Sequence, residues 1–374
     1  MAYIDITSDL KRKKWMREGL IQAKAKSFWT PFTGTSADSV VVQVNNTNAS
    51  EGHTVVFDYD GNLSGKAIKG KDTAYGKGEQ KKKFSDKITV DRYRLVVDNG
   101  DAFDAVDVGD LSLSQHSDSR EKLGDLFVRW KDQALFDAAQ GCNGQGASHI
   151  IDLSTTFDSD SLLDIEKYVK TATGFTTGGS TARTPLYPFR LADGKPMWLF
   201  VVDTFMANML KKSTKYQSLV YNADVRGNEN RAIKGVIGKI GSLLIVEADT
   251  FFGYTGHTNA TINMHDTEVE IAGLRRYDSN GNWSGQTDFN SALLLKSRGF
   301  IMGKNALQLA FGKMPDYRFQ ESQDFGIKSE SALEVWTGVQ KTTLLAEMED
   351  YRAAKLAGFD FGVIAVDVQT KAAD

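Results

Sequence analysis

The sequence predicts a mixed α+β chain carrying an elongated hairpin, and three observations predict it. Short apolar runs rich in β-branched and aromatic residues, such as HTVVFDYD at 53–60, MWLFVV at 197–202 and LLIV at 243–246, read as strands. Segments of helical period alternate with them, the clearest at 118–140. Between two strand-like segments lies GNLSGKAIKGKDTAYGKGEQKKK at 61–83, with five glycines, many lysines and almost no apolar anchor. The chain of 374 residues is 41% apolar and 25% charged, the composition of a folded protein with a sizeable core. Its 34 glycines against five prolines call for bends and close approaches more than for rigid linkers.

Taken in order, residues 1–50 combine a basic, helix-like start with the valine-rich SVVVQV at 39–44 and read as an extended arm. Residues 53–60 form a strand, 61–83 a mobile loop, and KITVDRYRLVV at 87–97 a second strand with Ile88, Val90, Arg92, Arg94 and Val96 on one face. Strand, basic loop and strand make a long hairpin with too little core to stand alone. Asp98, Asp101, Asp104, Asp107 and Asp110 then recur every third residue, a spacing that holds no single helix face. They read as a solvated acidic surface, with a cation site as the alternative if a loop gathers their oxygens. Asp118 and Glu121 resemble a capping box, followed by Leu123, Phe127, Trp130, Ala134 and Ala138 at helical spacing, with GCNGQG at 141–146 closing the helix. A shorter amphipathic helix is expected at 161–173, a buried strand at 197–203, a helix at 204–212, and a glycine turn entering a strand at 235–247. Residues 253–290 read as a polar surface insertion, 292–295 and 300–311 as apolar strand and helix, and 333–343 and 361–368 as closing strands.

Charge and motifs exclude more than they assign. Forty-five basic residues against 48 acidic ones leave no basic excess of the kind a dedicated nucleic-acid binder carries. The single Cys142 permits neither an intrachain disulfide nor a multi-cysteine zinc module. No apolar run approaches the roughly 20 residues of a spanning helix, so no membrane partner is expected, and the basic start has no apolar stretch behind it as a signal peptide would. GKAIKGKD at 65–72 fits a phosphate-loop frame but puts Asp72 where a magnesium-holding Ser or Thr belongs. The glycines at 141, 144 and 146 follow a helix instead of a strand, and His257, His265 and Asp266 are scattered through a polar segment. No catalytic residue, cofactor or metal is therefore expected. What stands out is segregation of charge. Residues 60–87 carry eight lysines against four acids, and 98–137 carry ten acids against four bases. Either these are two separately solvated surfaces, or a basic arm lies on the acidic surface of a second copy. A hairpin that cannot bury itself favours the second reading. The contact candidates are then Lys66, Lys69, Lys71, Lys77, Lys81, Lys82 and Lys83 on one side, with Asp101, Asp104, Asp107, Asp110, Glu121 and Asp125 on the other.

The order of arm, hairpin, long helix, α/β region and returning strands resembles the major capsid proteins of tailed bacteriophages with the Hong Kong 97-type fold. More closely it is similar to the capsid family typified by coliphage N-four. The stretches that carry the resemblance are SEGHTVVFDYD at 50–60, TPLYPFRLADGKPMWLFVVDTFMANMLKK at 184–212, RGNENRAIKGVIGKIGSLLIVE at 226–247, SALLLKSRGFIMGKNALQLAFGK at 291–313, QDFGIKSESALEVWTGVQKTTL at 323–344 and FDFGVIAVDVQT at 359–370. Lys296–Arg298 departs from the small-residue run expected there. The resemblance implies an N-terminal arm at 1–50, an extended loop at 51–97 laid across a neighbour, and a peripheral domain from 98–174 and 311–374 with its spine helix at 118–140. It further implies an axial domain at 175–310. It implies self-assembly into hexamers and pentamers of an icosahedral head around double-stranded DNA, in the host cytoplasm. Portal, scaffold and decoration proteins are implied partners, and the DNA is a neighbour by proximity, without sequence-specific contact. Lys11, Arg12, Lys13 and Lys14 either face that DNA or form a solvated helix face. A shell protein enclosing enzymes instead of DNA, and a soluble hydrolase with its site in 250–290, are the alternatives.

Overall fold

The computed structural model describes residues 27–36, 38–45, 53–60, 67–78, 83–101, 111–140, 147, 149–153, 157–171, 186–190, 194–217, 236–248, 253–255, 294–323, 328–343 and 360–371. The strands are β1 (Thr33–Gly34), β2 (Val41–Asn45), β3 (Thr54–Asp60), β4 (Lys83–Thr89), β5 (Asp91–Asp101), β6 (Ile150–Asp152), β7 (Phe189–Arg190), β8 (Pro196–Val202), β9 (Val236–Ile240), β10 (Leu243–Glu247), β11 (Gly253–Thr255), β12 (Leu294–Met302), β13 (Leu307–Gln323), β14 (Lys328–Lys341) and β15 (Val363–Lys371). The helices are α1 (Leu111–Gln140), α2 (Ser159–Thr171) and α3 (Thr204–Lys212). Five strands form one sheet in the order β1-β2-β13-β14-β5. Eight form a second, ordered β6-β15-β12-β8-β10-β9 with β11 on β12 and β7 on β8, and β3 and β4 pair alone.

Strand β8 shows why the second sheet exists. Met197, Leu199 and Val201 enter one core with α1, while Trp198, Phe200 and Val202 enter another with α2 and α3. Apolar residues at both parities of a strand demand cover on both faces, and the helices supply it. The two flanking helices begin at acidic caps. Asp158 accepts from the Ser161 N–H at 2.9 Å, and Asp203 from the Met206 N–H at 2.8 Å. Helix α1 has 30 residues and so runs about 45 Å. It buries Leu123, Phe127, Val128, Leu135, Phe136, Ala138 and Ala139.

Several expectations are corrected. Helix α1 begins at Leu111, so Asp118 lies inside it and not at its start. Trp130 is half-buried, packed against Tyr93 at 4.6 Å between centroids, because Leu135 and Phe136 take the central positions under the helix. The strand expected at 87–97 is two strands, broken at the buried Val90, and each joins a different sheet. The segment 235–247 is an antiparallel hairpin of β9 and β10, its glycine turn lying at Gly241 between the strands. Residues 300–311 contain no helix; they end β12 and begin β13. Residues 253–255, at the start of the expected insertion, pair with β12. Within the stretch read as an arm, residues 27–45 join the body: Trp29 and Val41 are fully buried, and β2 pairs with β13. That entry is clamped to α1 by Asp132, which accepts from Ser27 Oγ and the Phe28 N–H, each at 2.7 Å. No helix among the described residues is long and apolar enough to cross a membrane.

Candidate inter-subunit interface

The hairpin predicted from sequence forms, with β3 and β4 paired antiparallel from Thr54 opposite Thr89 to Asp60 opposite Lys83. Its root is held at home. Val55, Phe57, Ile88 and Val90 are buried against Val42 and Ala310, with Val44 and Trp336 at the margin. Gly338 of β14 makes this possible: a Cβ there would lie 2.4 Å from the Thr89 carbonyl oxygen and 2.5 Å from Ile88. A polar tie reinforces the seat. Asp86, 1% exposed, accepts from the Lys87 N–H at 2.8 Å and the Thr343 N–H at 3.0 Å. Gln340 Nε2 donates to the Lys87 carbonyl at 3.0 Å and to Gln308 Oε1 at 3.1 Å. Burial pushes the Asp86 carboxyl up from its ordinary value, against the backbone N–H groups of Thr343 and Lys87, which pull it down.

The far end is different. Every described residue of the connecting loop, 67–78, is exposed, and its hydrogen bonds are local. The described part of the loop contains two successive turns: the Asp72 N–H donates to the Lys69 carbonyl at 3.4 Å and the Lys77 N–H to the Ala74 carbonyl at 3.2 Å. The positive φ at Gly70 (66°) and Gly76 (77°) places a glycine at the second position of the first turn and the third of the second. The same geometry disposes of the phosphate-loop frame, since a second turn follows Asp72 where a helix would have to begin. Lys69, Lys71 and Lys77 are exposed and make no ion pair among the described residues. On the acidic side, Glu121 is exposed and Asp125 half-buried on α1, whereas Asp132 and Asp137 of the same charge block are buried and committed within the chain. Side chains of Lys83 and Asp101 lie outside the described residues, as do Lys11, Arg12, Lys13, Lys14, Lys66, Lys81, Lys82, Asp104, Asp107, Asp110, the glycines at 141–146, His257, His265 and Asp266.

Beside the hairpin root, the sheet face opposite α1 carries a cationic cluster that sequence reasoning missed. Glu334, 2% exposed, meets Arg92 Nε at 3.1 Å, Arg318 Nε at 3.1 Å and Lys313 Nζ at 3.9 Å, and accepts from Trp336 Nε1 at 3.1 Å. Burial pushes its carboxyl up, but Trp336, Lys313, Arg92 and Arg318 together outweigh this and hold it below the ordinary glutamate range. These residues are scattered over three strands, and only the register of β5, β14 and β13 brings them together. Among the described residues, no three metal-ligating side chains converge.

A β-hairpin rooted on a sheet backed by a long helix, joined to a second sheet with helices on both faces, is the Hong Kong 97-type architecture of major capsid proteins. Solved structures share it: the capsid of Ralstonia phage GP4 is 19% identical over 92% of each chain with a TM-score of 0.64. The acid-stable capsid of Helicobacter pylori bacteriophage KHP30 is 16% identical over 92% of this chain and 91% of that one, TM-score 0.66. The head of Helicobacter pylori bacteriophage KHP40 is 15% identical over the same shares, TM-score 0.68. At these identities the likeness is one of fold. No curated protein sequence matches the chain. The family model described as phage capsid protein matches residues 4–235, more than half the sequence, and the chain belongs to that family. It is a phage capsid protein, with a structural role.

Proposed function

We propose that the chain assembles with copies of itself, as hexamers and pentamers, into an icosahedral head that encloses double-stranded DNA, in the cytoplasm of the host. In this reading, the hairpin within 51–97 reaches across a neighbouring subunit beyond its home-bound root, 98–174 with 311–374 act as the peripheral domain, 175–310 act as the axial domain, and the part of 1–50 that precedes the body-bound residues from Ser27 reaches other copies. Portal, scaffold and decoration proteins would join the same shell. The basic loop would rest on the acidic surface that includes Asp101, Asp104, Asp107, Asp110, Glu121 and Asp125. One observation carries the reading: the hairpin root is fixed in the body by apolar packing and by Asp86, while the described loop residues beyond it are wholly exposed. A rigid root with an unburied far end is a reaching element. Many modest contacts of this kind, closed into a shell, give an assembly far more stable than any one of them. A charge of −3 suits a wall around DNA, because strong phosphate binding would retain the cargo.

The test is electron microscopy of purified protein together with a variant in which Lys81, Lys82 and Lys83 are all changed to Glu. Wild type should form shells, and shells from infected cells should protect DNA from nuclease. The variant should keep the melting temperature of the free subunit and fail to close shells. Normal particles from the variant would refute the basic-arm contact, and a wild type that stays dispersed at high concentration would refute assembly itself.

A further inference from the structure

The loop of the hairpin has an apolar centre. Tyr75 is 95% exposed and Ile68 39% exposed, in a segment otherwise composed of small, glycine and charged or polar residues. Tyr75 occupies the second position of the turn 74–77, the corner that points away from the chain, and Gly76 at φ 77° allows the turn to close behind it. A Cβ at Gly70 or Gly76 would touch nothing within 4 Å, so neither glycine is there for want of room. Their backbone angle is what matters, since L side chains rarely adopt it. The loop is thus a shaped presenter of one aromatic ring, with the exposed Lys69, Lys71 and Lys77 around it. Solubility alone would be served by the lysines. A tyrosine left fully in water gains nothing at home, whereas on a partner surface it is among the residues that dominate binding, because it covers a large area with only two side-chain rotors to immobilise.

We propose that Tyr75 is the anchor of the hairpin, inserting into an apolar recess on a second copy of this chain, with Lys69, Lys71 and Lys77 lying on carboxylates at the rim. The proposal rests on the reading of the hairpin as an inter-subunit arm and adds a division of labour to it. The ring supplies the short-range binding energy, and the lysines supply orientation and encounter rate, which salt screens. The partner is a second copy because the chain itself segregates complementary charge: eight lysines in 60–87 against an acid-rich 98–137.

The experiment compares four proteins by light scattering and electron microscopy across protein concentration, at low and at high salt: wild type, Tyr75→Ala, Tyr75→Phe, and a variant with residues 68–77 replaced by a glycine-serine linker of equal length. Tyr75 is 95% exposed, so the melting temperature of the free Tyr75→Ala subunit should equal that of wild type. Its assembly threshold should rise about tenfold or more at both salt concentrations, as loss of a buried interface anchor does. Tyr75→Phe should assemble close to wild type, since it keeps the ring. Tyr75→Ala assembling at the wild-type threshold while the linker variant fails would overturn the anchor and leave the arm standing. A linker variant that assembles normally would overturn both. A Tyr75→Phe defect as large as that of Tyr75→Ala would show that the hydroxyl, and not the apolar ring, makes the contact.

Discussion

Glu334 shows how one carboxylate organises a sheet face. It is nearly inaccessible, yet three cations from β5 and β13 and one indole N–H from its own strand converge on it. Lys313 also lies over the Trp336 ring at 5.9 Å, so the cluster is tied through the aromatic as well. Removing the charge from such a centre leaves the cations facing a poorer acceptor, at a cost of about 1–3 kcal/mol. The folded carboxyl titrates below its unfolded value, so its contribution is complete above the ordinary glutamate range and fades as pH falls through the folded value. Wild type should therefore exceed Glu334→Gln in urea midpoint at neutral pH, and the gap should close on acidification below the ordinary glutamate range. A gap that stays constant over that range would mean that the cluster does not hold the carboxylate in its charged form.

At the scale of elements, the hairpin is joined to the body at two kinds of contact, apolar packing over Gly338 and the Asp86 tie. Both Asp86 oxygens accept backbone N–H groups, one from Lys87 and one from Thr343. Asparagine has one oxygen, and its NH2 must then face a donor in either orientation. Asp86→Asn should cost about 1–3 kcal/mol at the root. Amide exchange should accelerate in β3, in β4 and at Thr343, while β13 and β14 keep their protection; exchange that rises equally everywhere would place Asp86 in the general core. The elements legible in sequence are those whose period is undisturbed. β8 alternates cleanly between two cores, α2 and α3 lie within two residues of the expected spans, and the β3–β4 hairpin is announced by its glycine-rich loop. β13 is illegible because three register shifts, after Phe311, after Lys313 and after Gln320, break the period of two. The break between β4 and β5 is hidden for a related reason: Val90 keeps the alternation of apolar residues across a point where the chain changes sheets. Of the candidate interface, the lysines are visible as composition. Tyr75 is not, since a single aromatic in a polar loop has no period to betray it, and only the glycine turn beside it gives a local signal.

For the whole molecule the open question is whether 374 residues behave as one unit or several, since single cores stop growing near about 250–300 residues. The arrangement of the core argues for one unit. Phe136 of α1 packs at 5.0 Å from Trp29, which leads into the five-stranded sheet, and at 6.1 Å from Phe300, which belongs to the eight-stranded sheet. The same cluster draws Leu307, Leu333 and Val335 from one sheet and Leu199, Val246 and Val363 from the other. Through the two faces of β8 it adjoins the second cluster, under α2 and α3. Neither sheet can lose its partner without exposing this shared interior. The free subunit, held below its assembly threshold, should therefore melt in a single calorimetric transition whose calorimetric and van't Hoff enthalpies agree. Phe136→Ala should lower stability by about 3–5 kcal/mol, as truncation of a buried aromatic does, and should shift that transition without splitting it. Two resolved peaks, with only one moved by the substitution, would show that the sheets are separate folding units and that α1 merely rests between them.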